Sequence, residues 1–133
     1  MPEDSTQDGF GKYLGFTIEH ASGDAVRGSI SVSPEHHQGL GIVHGGVYCS
    51  VVEHAASVAA ATWFGDRGGV VGVSNSTHFI RAVRSGSLQV VATPLQRGRT
   101  QQLWQVFITD EQDRLVAKGE VRLANIADPA RLG

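Results

Sequence analysis

One carboxylate stands alone in an apolar segment of this chain. Glu53 is the only acidic residue between His44 and Phe64, a stretch composed mainly of Ala, Val and other uncharged residues. An ionised carboxylate in apolar surroundings costs several kcal/mol unless it has partners. Glu53 therefore either lies on a partly exposed stripe of a helix or is kept for chemistry as a general base or nucleophile.

The residues before Glu53 suggest what that chemistry is. His44 is followed by Gly45 and Gly46, and this sequence predicts the start of a helix. A helix N-terminus carries unpaired amide N–H groups and the positive end of the helix dipole. Glycines let a substrate carbonyl approach those amides closely. The amides could hold a developing oxyanion while Glu53, about two turns along, attacks or deprotonates water. By itself the pattern is equally compatible with tight packing.

The elements that position these groups follow from the hydrophobic periodicity. A helix is predicted from His44 to Phe64, with Gly65 as its stop signal. Alternation of apolar and polar residues from Val26 to Ser33 predicts a strand before the helix. Four more strands are predicted after it: Val70 to Phe79, Leu88 to Leu95, Leu103 to Thr109 and Leu115 to Ala124. With one further strand before the helix, the predicted order is two strands, one long helix and about four antiparallel strands, which indicates an α+β domain.

Composition limits the domain count and excludes several function classes. The 133 residues fit a single domain, which we place at residues 12–126 between a flexible N-terminal tail (1–11) and a C-terminal tail (127–133). The formal net charge is −2, which gives no basic footprint for nucleic acid or for a membrane surface. Cys49 is the single cysteine, so no intramolecular disulfide forms. The N-terminus lacks a signal-peptide pattern, and we expect a cytoplasmic protein.

Some residues invite a second interpretation. His36, His37 and His54 lack a recognisable ligand spacing, so we expect no metal site. Cys49 precedes Glu53 by one helical turn, but no suitably spaced base supports a thiol nucleophile, and small free cysteines usually pack in cores. A packing role is also expected for Trp63 and Trp104, and a strand-end position for His78.

The landmark spacings together resemble a known family. Gln38 lies six residues before His44, Glu53 lies eight residues after Gly45, and Ser57 lies four residues further on. With these spacings, the chain from about Leu14 to Ile126 resembles the hotdog-fold acyl-CoA thioesterases. It is most similar to the branch that contains the PaaI-like enzymes, the Arthrobacter-type 4-hydroxybenzoyl-CoA thioesterase and 1,4-dihydroxy-2-naphthoyl-CoA hydrolase.

The resemblance implies a fold, an assembly and a role for each landmark residue. The implied hotdog fold is a long central helix wrapped by an antiparallel sheet, in a homo-oligomer (a dimer or a dimer of dimers) with active sites between subunits. One chain would supply Gln38, His44 and Gly45, and its partner Glu53 and Ser57. The Gly45 amide would polarise the thioester carbonyl, with Gln38 and His44 positioning it. Ser57 would orient water or the thiolate, and Glu53 would act as base or nucleophile.

The same resemblance assigns two segments to coenzyme A, which is part of the substrate; no separate cofactor is implied. The first segment comprises Val71, Gly72, Phe79, Ile80, Arg81 and Ala82, where Ala82 replaces a proline common in the family. The second comprises Gln96, Arg97, Gly98, Arg99, Thr100 and Gln101. Arginine forks in these loops, with Arg84 nearby, suit phosphate oxygens. The alternative is that they are solvated surface charges.

The expected function is hydrolysis of an aromatic or medium-size acyl-CoA to the free acid and CoA. Two alternatives stay open. One is a hotdog dehydratase or hydratase, whose sites pair a loop histidine with a carboxylate at other spacings. The other is a non-catalytic module that binds acyl-CoA, for which a carboxylate beside an oxyanion site would serve no purpose.

Overall fold

The computed structural model describes residues 9–132, and its elements follow the predicted order. Two strands come before one long helix, and four strands come after it, which confirms the α+β prediction. The helices are α1 (Gly9–Leu14) and α2 (Gly45–Phe64). The strands are β1 (Phe16–Ala21), β2 (Val26–Ser31), β3 (Gly69–Phe79), β4 (Ser87–Arg97), β5 (Gln101–Thr109) and β6 (Leu115–Ile126).

The six strands form one antiparallel sheet in the order β1-β2-β4-β5-β6-β3. Strands β4, β5 and β6 are joined in succession by two short connections, residues 98–100 and 110–114. Strand β3 follows α2 and pairs only with β6, so it forms one edge of the sheet. The long helix packed against this sheet is the hotdog fold.

Helix α2 has clear boundary signals and a core-facing surface of small residues. It begins after His44, whose Nδ1 accepts a hydrogen bond from the Gly46 N–H at 2.8 Å. It ends at Gly65, whose φ of 64° favours glycine and whose N–H bonds the Ala61 carbonyl. Its small side chains let the sheet approach closely, and burial of each valine stabilises the fold by roughly 1.5–3 kcal/mol. The fully buried residues are Val51, Val52, Ala55, Ala56, Ala59 and Ala60.

Strand β6 departs from its predicted pattern at one residue. Strict alternation places Val116 on the outer face, yet Val116 and Ala117 are both fully buried. The pairing with β5 shifts here, because Ile108 opposes Ala117 whereas Thr109 opposes Leu115. Val116 is therefore the extra residue of a β-bulge, which turns its side chain inward.

The two ends of the chain also differ from the sequence-based boundaries. Helix α1 begins at Gly9 and buries Gly11, inside the segment predicted as a flexible tail. Residues 1–8 lie outside the described part of the chain. In the predicted C-terminal tail, Pro129–Arg131 form one exposed turn of 3₁₀ helix. Neither α-helix described here is long and apolar enough to cross a membrane.

Candidate active site

A surface cleft of about 240 Å³ opens at the N-terminus of α2. It is lined by Gln38, Ile42, Val43, Gly45, Tyr48, Phe79, Ile80, Arg81 and Ala82. The Gly45 N–H, in the first turn of the helix, donates to no group in the described part of the chain. A side chain at this position would collide with the ring of Phe79. Glycine thus leaves an amide donor accessible beside an aromatic wall.

The loop before α2 places Gln38 in the lining of this cleft. The Gln38 side-chain carbonyl accepts a hydrogen bond from the Leu40 N–H, which leaves the Gln38 Nε2 amide as a donor. Arg84 braces the same loop, donating to the Leu40 carbonyl at 3.0 Å and to the Gly41 carbonyl at 3.4 Å. His37 Nε2 bonds the Arg84 carbonyl at 2.7 Å. Arg84, grouped from the sequence with arginines that could bind phosphate, is engaged here in holding the loop.

His44 caps the N-terminus of α2. Its backbone N–H donates to the His36 carbonyl at 2.8 Å, and its Nδ1 accepts from the Gly46 N–H. The neutral ring therefore carries its proton on Nε2, and the side chain is exposed. By capping Gly46 rather than Gly45, His44 leaves the Gly45 amide unbonded.

Glu53 lies in a different depression, of about 360 Å³, on the exposed side of α2. Its lining residues are Phe10, Cys49, Ser50, Glu53, His54 and Ser57, so Ser57 accompanies Glu53 as predicted. Asn75 of β3 donates from Nδ2 to Glu53 Oε1 at 3.1 Å and to the Cys49 carbonyl at 3.0 Å. Thr77 in turn donates from Oγ1 to Asn75 Oδ1 at 2.7 Å. A polar chain of two residues thus anchors the half-buried carboxylate.

Sequence reasoning missed Asn75 and Thr77. The available signal was their alternation on β3, which places both side chains on one face of the strand. Gly72, assigned to coenzyme A by resemblance, lies on the same strand, and a side chain there would collide with Glu53 Oε2. Strand β3 therefore borders both carboxylate oxygens of Glu53: Asn75 bonds Oε1, and Gly72 leaves room for Oε2.

The two halves of the predicted site do not meet within one chain. The cleft at Gly45 and the depression at Glu53 share no lining residue. Gly45 and Glu53 are eight residues apart on α2, or about 12 Å along the helix axis. One chain therefore presents the Gly45 amide in one depression and the anchored Glu53 carboxylate in another.

The first segment assigned to coenzyme A lies at two places along β3. Val71 and Gln101 both pair with Ala124 of β6, so this end of the first segment lies close to the second segment. Phe79 pairs with Ala117, about 23 Å further along β6, and residues 79–82 border the Gly45 cleft. The second segment opens into a groove of about 600 Å³ lined by Trp63, Phe64, Arg67, Arg97, Gly98, Arg99, Thr100, Asn125 and Ala127.

Only some of the predicted phosphate ligands have free side chains. Arg97 pairs with Asp24 at 2.8 Å and donates to the Gly23 carbonyl at 2.7 Å. Arg81 and Arg99 have no side-chain hydrogen bond or ion pair within residues 9–132. In the second coenzyme A segment, the Gln101 side chain accepts a hydrogen bond from Arg122 at 2.5 Å, and the Gln96 side chain is exposed.

The remaining sequence candidates have structural contacts. His36 is buried, with Nε2 2.7 Å from the Leu14 carbonyl and Nδ1 accepting from the Ser33 N–H at 3.0 Å. His54 packs edge-on against Phe16. Over residues 9–132, no three His, Cys, Asp or Glu side chains are grouped as metal ligands would be. Trp104 is fully buried, which confirms its packing role.

Comparison with known proteins places this geometry in a family. A family model described as the thioesterase superfamily matches residues 40–117. A provisionally named esterase of Mycobacterium tuberculosis is 48% identical over 88% of this chain and 86% of its own length. Its solved structure superposes with a TM-score of 0.87 at 47% identity, covering 89% of this chain and 96% of that one.

Two further relatives carry more specific names. The proofreading thioesterase EntH of Cronobacter sakazakii is 33% identical over 77% of this chain and 75% of its own length. The 1,4-dihydroxy-2-naphthoyl-CoA hydrolase of Escherichia coli is 30% identical, covering 84% and 82%. The chain belongs to the thioesterase superfamily and is a hydrolytic enzyme that acts on thioesters.

Proposed function

We propose that the protein hydrolyses a CoA thioester of a compact aromatic acid, at sites that form between two copies of the chain. One observation carries the proposal: the Gly45 amide and the Glu53 carboxylate lie in separate surface depressions with no lining residue in common. Each is one half of a thioester-hydrolysing site, and a second copy supplies the missing half.

In this site, the Gly45 N–H and the Gln38 Nε2 amide donate to the thioester oxygen as charge develops on it. The Glu53 carboxylate of the partner subunit either attacks the carbonyl carbon or removes a proton from the attacking water. The carbon–sulfur bond then breaks, and the thiolate of CoA leaves and takes up a proton. In the route where Glu53 attacks, water then hydrolyses the acyl–Glu53 anhydride, which releases the acid and restores the carboxylate. Ser57 orients the water or the leaving sulfur.

Strand β3 supports the assembly. It is an edge strand of eleven residues whose outer side is unpaired in the described chain. Val73 is 59% exposed and Phe79 is 56% exposed along it. Long exposed edge strands are usually covered, and pairing with a second copy covers both. Phe79 contacts Gly45, and Asn75 bonds Glu53, so both halves of the site border β3. Pairing of β3 with the same strand of a second copy places the Gly45 half of each chain beside the Glu53 half of the other, and two sites form.

The acyl preference follows from the cleft beside Gly45. Its walls include the rings of Tyr48 and Phe79, whose centroids lie 6.0 Å apart, and its volume is about 240 Å³. Typical ligand pockets measure about 300–1,000 Å³, so this cleft suits a compact ring better than a long chain. The name of the Escherichia coli relative, an aryl-CoA hydrolase, agrees with an aromatic group. Arg81 and Arg99 are the side chains available for phosphate.

The test is release of CoA thiol from a panel of aromatic and fatty acyl-CoA esters. We expect turnover by the wild type, fastest on aromatic esters, and a loss of at least ~10²-fold in Glu53→Ala. Glu120→Ala, which removes an exposed carboxylate on β6, is the matched control and should keep full activity. Full activity in Glu53→Ala would refute the mechanism. Binding without thiol release by the wild type would refute hydrolysis and favour a binding module.

A further inference from the structure

A buried hydroxyl at the inner wall of the Gly45 cleft has no partner. Tyr48 lies one helical turn after Gly45 and is only 3% exposed. Its Oη is the one buried side-chain polar atom in the described part of the chain that lacks a hydrogen bond. Burial raises the pKa of Tyr48 to about 12, so the phenol stays neutral at any working pH.

This hydroxyl is costly unless something bonds to it. An unpaired buried donor destabilises a fold by about 1–3 kcal/mol, and phenylalanine would fill the same space without that cost. The cleft is lined mainly by apolar side chains, and neither of its two polar side chains, Gln38 and Arg81, bonds to Oη. The cost is removed when a bound molecule presents a polar atom here.

We propose that Tyr48 determines acyl specificity by hydrogen-bonding a polar substituent on the aromatic ring of the substrate. This inference rests on the proposed function. With the thioester oxygen at the Gly45 amide, the ring lies against the Tyr48 and Phe79 rings, which contact each other at a centroid distance of 6.0 Å. The phenol can donate one hydrogen bond and accept others, so it accommodates a ring hydroxyl in either role. Entry of the ring exposes Oη to that substituent as Phe79, at the rim, gives way.

The experiment compares kcat/KM of wild type and Tyr48→Phe on benzoyl-CoA and on its 2-, 3- and 4-hydroxy derivatives. We expect the wild type to favour one hydroxylated isomer. In Tyr48→Phe, that preference over benzoyl-CoA should fall by roughly 10-fold, the effect of one lost hydrogen bond. The preference is a ratio of two kcat/KM values within one variant, so a general effect of the substitution on turnover cancels and the lost hydrogen bond alone changes the ratio. Tyr13→Phe, at a tyrosine 72% exposed, is the matched control.

The outcomes separate this inference from the proposed function. An unchanged isomer preference in Tyr48→Phe, or an equal loss on all four esters, overturns the specificity role while hydrolysis stands. Absence of thiol release from every ester by the wild type overturns the proposed function and this inference with it. A thermal midpoint for Tyr48→Phe at or above that of the wild type verifies that the variant is folded.

Discussion

The carboxylate of Glu53 is held by a neutral donor rather than by a cation. The Asn75 amide bonds Oε1, Thr77 fixes the amide, and the backbone at Gly72 borders Oε2. A neutral amide restrains the side chain through a hydrogen bond and places no positive charge beside the carboxylate. Asn75 is therefore a positioning residue for the proposed base or nucleophile.

Removal of this amide should slow hydrolysis more than it weakens binding. For Asn75→Ala we expect kcat to fall by roughly 10- to 100-fold, the range for a lost hydrogen bond to a charged group, with KM changed little. Steady-state thiol release measures both. Ser76→Ala, on the opposite face of the same strand, should match the wild type. A rise in KM at constant kcat would instead assign Asn75 to substrate binding.

Among the elements, the β5–β6 connection is organised by one carboxylate. Asp110 is 7% exposed and accepts hydrogen bonds from the backbone N–H groups of Gln112 and Arg114, each at 2.9 Å. Arg114 Nε adds an ion pair at 2.7 Å. Burial alone would raise the pKa of Asp110, but the Arg114 N–H, the Arg114 guanidinium and the Gln112 N–H outweigh it and lower that pKa.

The lowered pKa predicts a pH-dependent contribution to stability. The ionised form is favoured in the folded state, so the contribution of Asp110 is complete above its unfolded pKa, about 3.9. It is lost as pH falls through the lower folded value. Asp110→Asn should therefore reduce the urea midpoint at pH 7, and the gap to the wild type should shrink at pH 3. Asp113→Asn in the same turn should produce little change at either pH.

A gap between wild type and Asp110→Asn that stays constant from pH 7 to pH 3 would contradict this account. So would a gap that widens in acid. Either result would mean that the ionised carboxylate is not what organises the turn.

Elements were more predictable from the sequence than contacts between them. Periodicity and Gly65 were enough for α2 and for the order of helix and strands along the chain, because both are local signals. The bulge at Val116 depends on register with β5, which no single strand reveals. Asn75 contacts Glu53 across 22 residues of sequence, and Arg97 finds Asp24 across 73. An arginine at position 97 indicated a phosphate ligand, but the sequence could not reveal that Asp24 already pairs with it.

At the scale of the whole molecule, the unpaired strand and the divided site have one explanation. Strand β3 contributes Phe79 to one half and Asn75 to the other, and its outer side is open. An isologous pairing about a two-fold axis generates two identical sites from those halves. The family resemblance predicted both a second copy and the division of the site residues between the two chains. It did not identify Asn75.

The most direct test of this shared site is complementation between two inactive variants. Gln38→Ala removes a donor from one half, and Glu53→Ala removes the carboxylate from the other. The two chains are co-expressed with different affinity tags, and mixed dimers are isolated by purification on both. Each mixed dimer then holds one intact site and one doubly altered site, so thiol release should recover to about half of the wild-type specific activity. Activity that stays at the level of the single variants would show that each chain uses its own Gln38 and Glu53, and would contradict a site built between two copies.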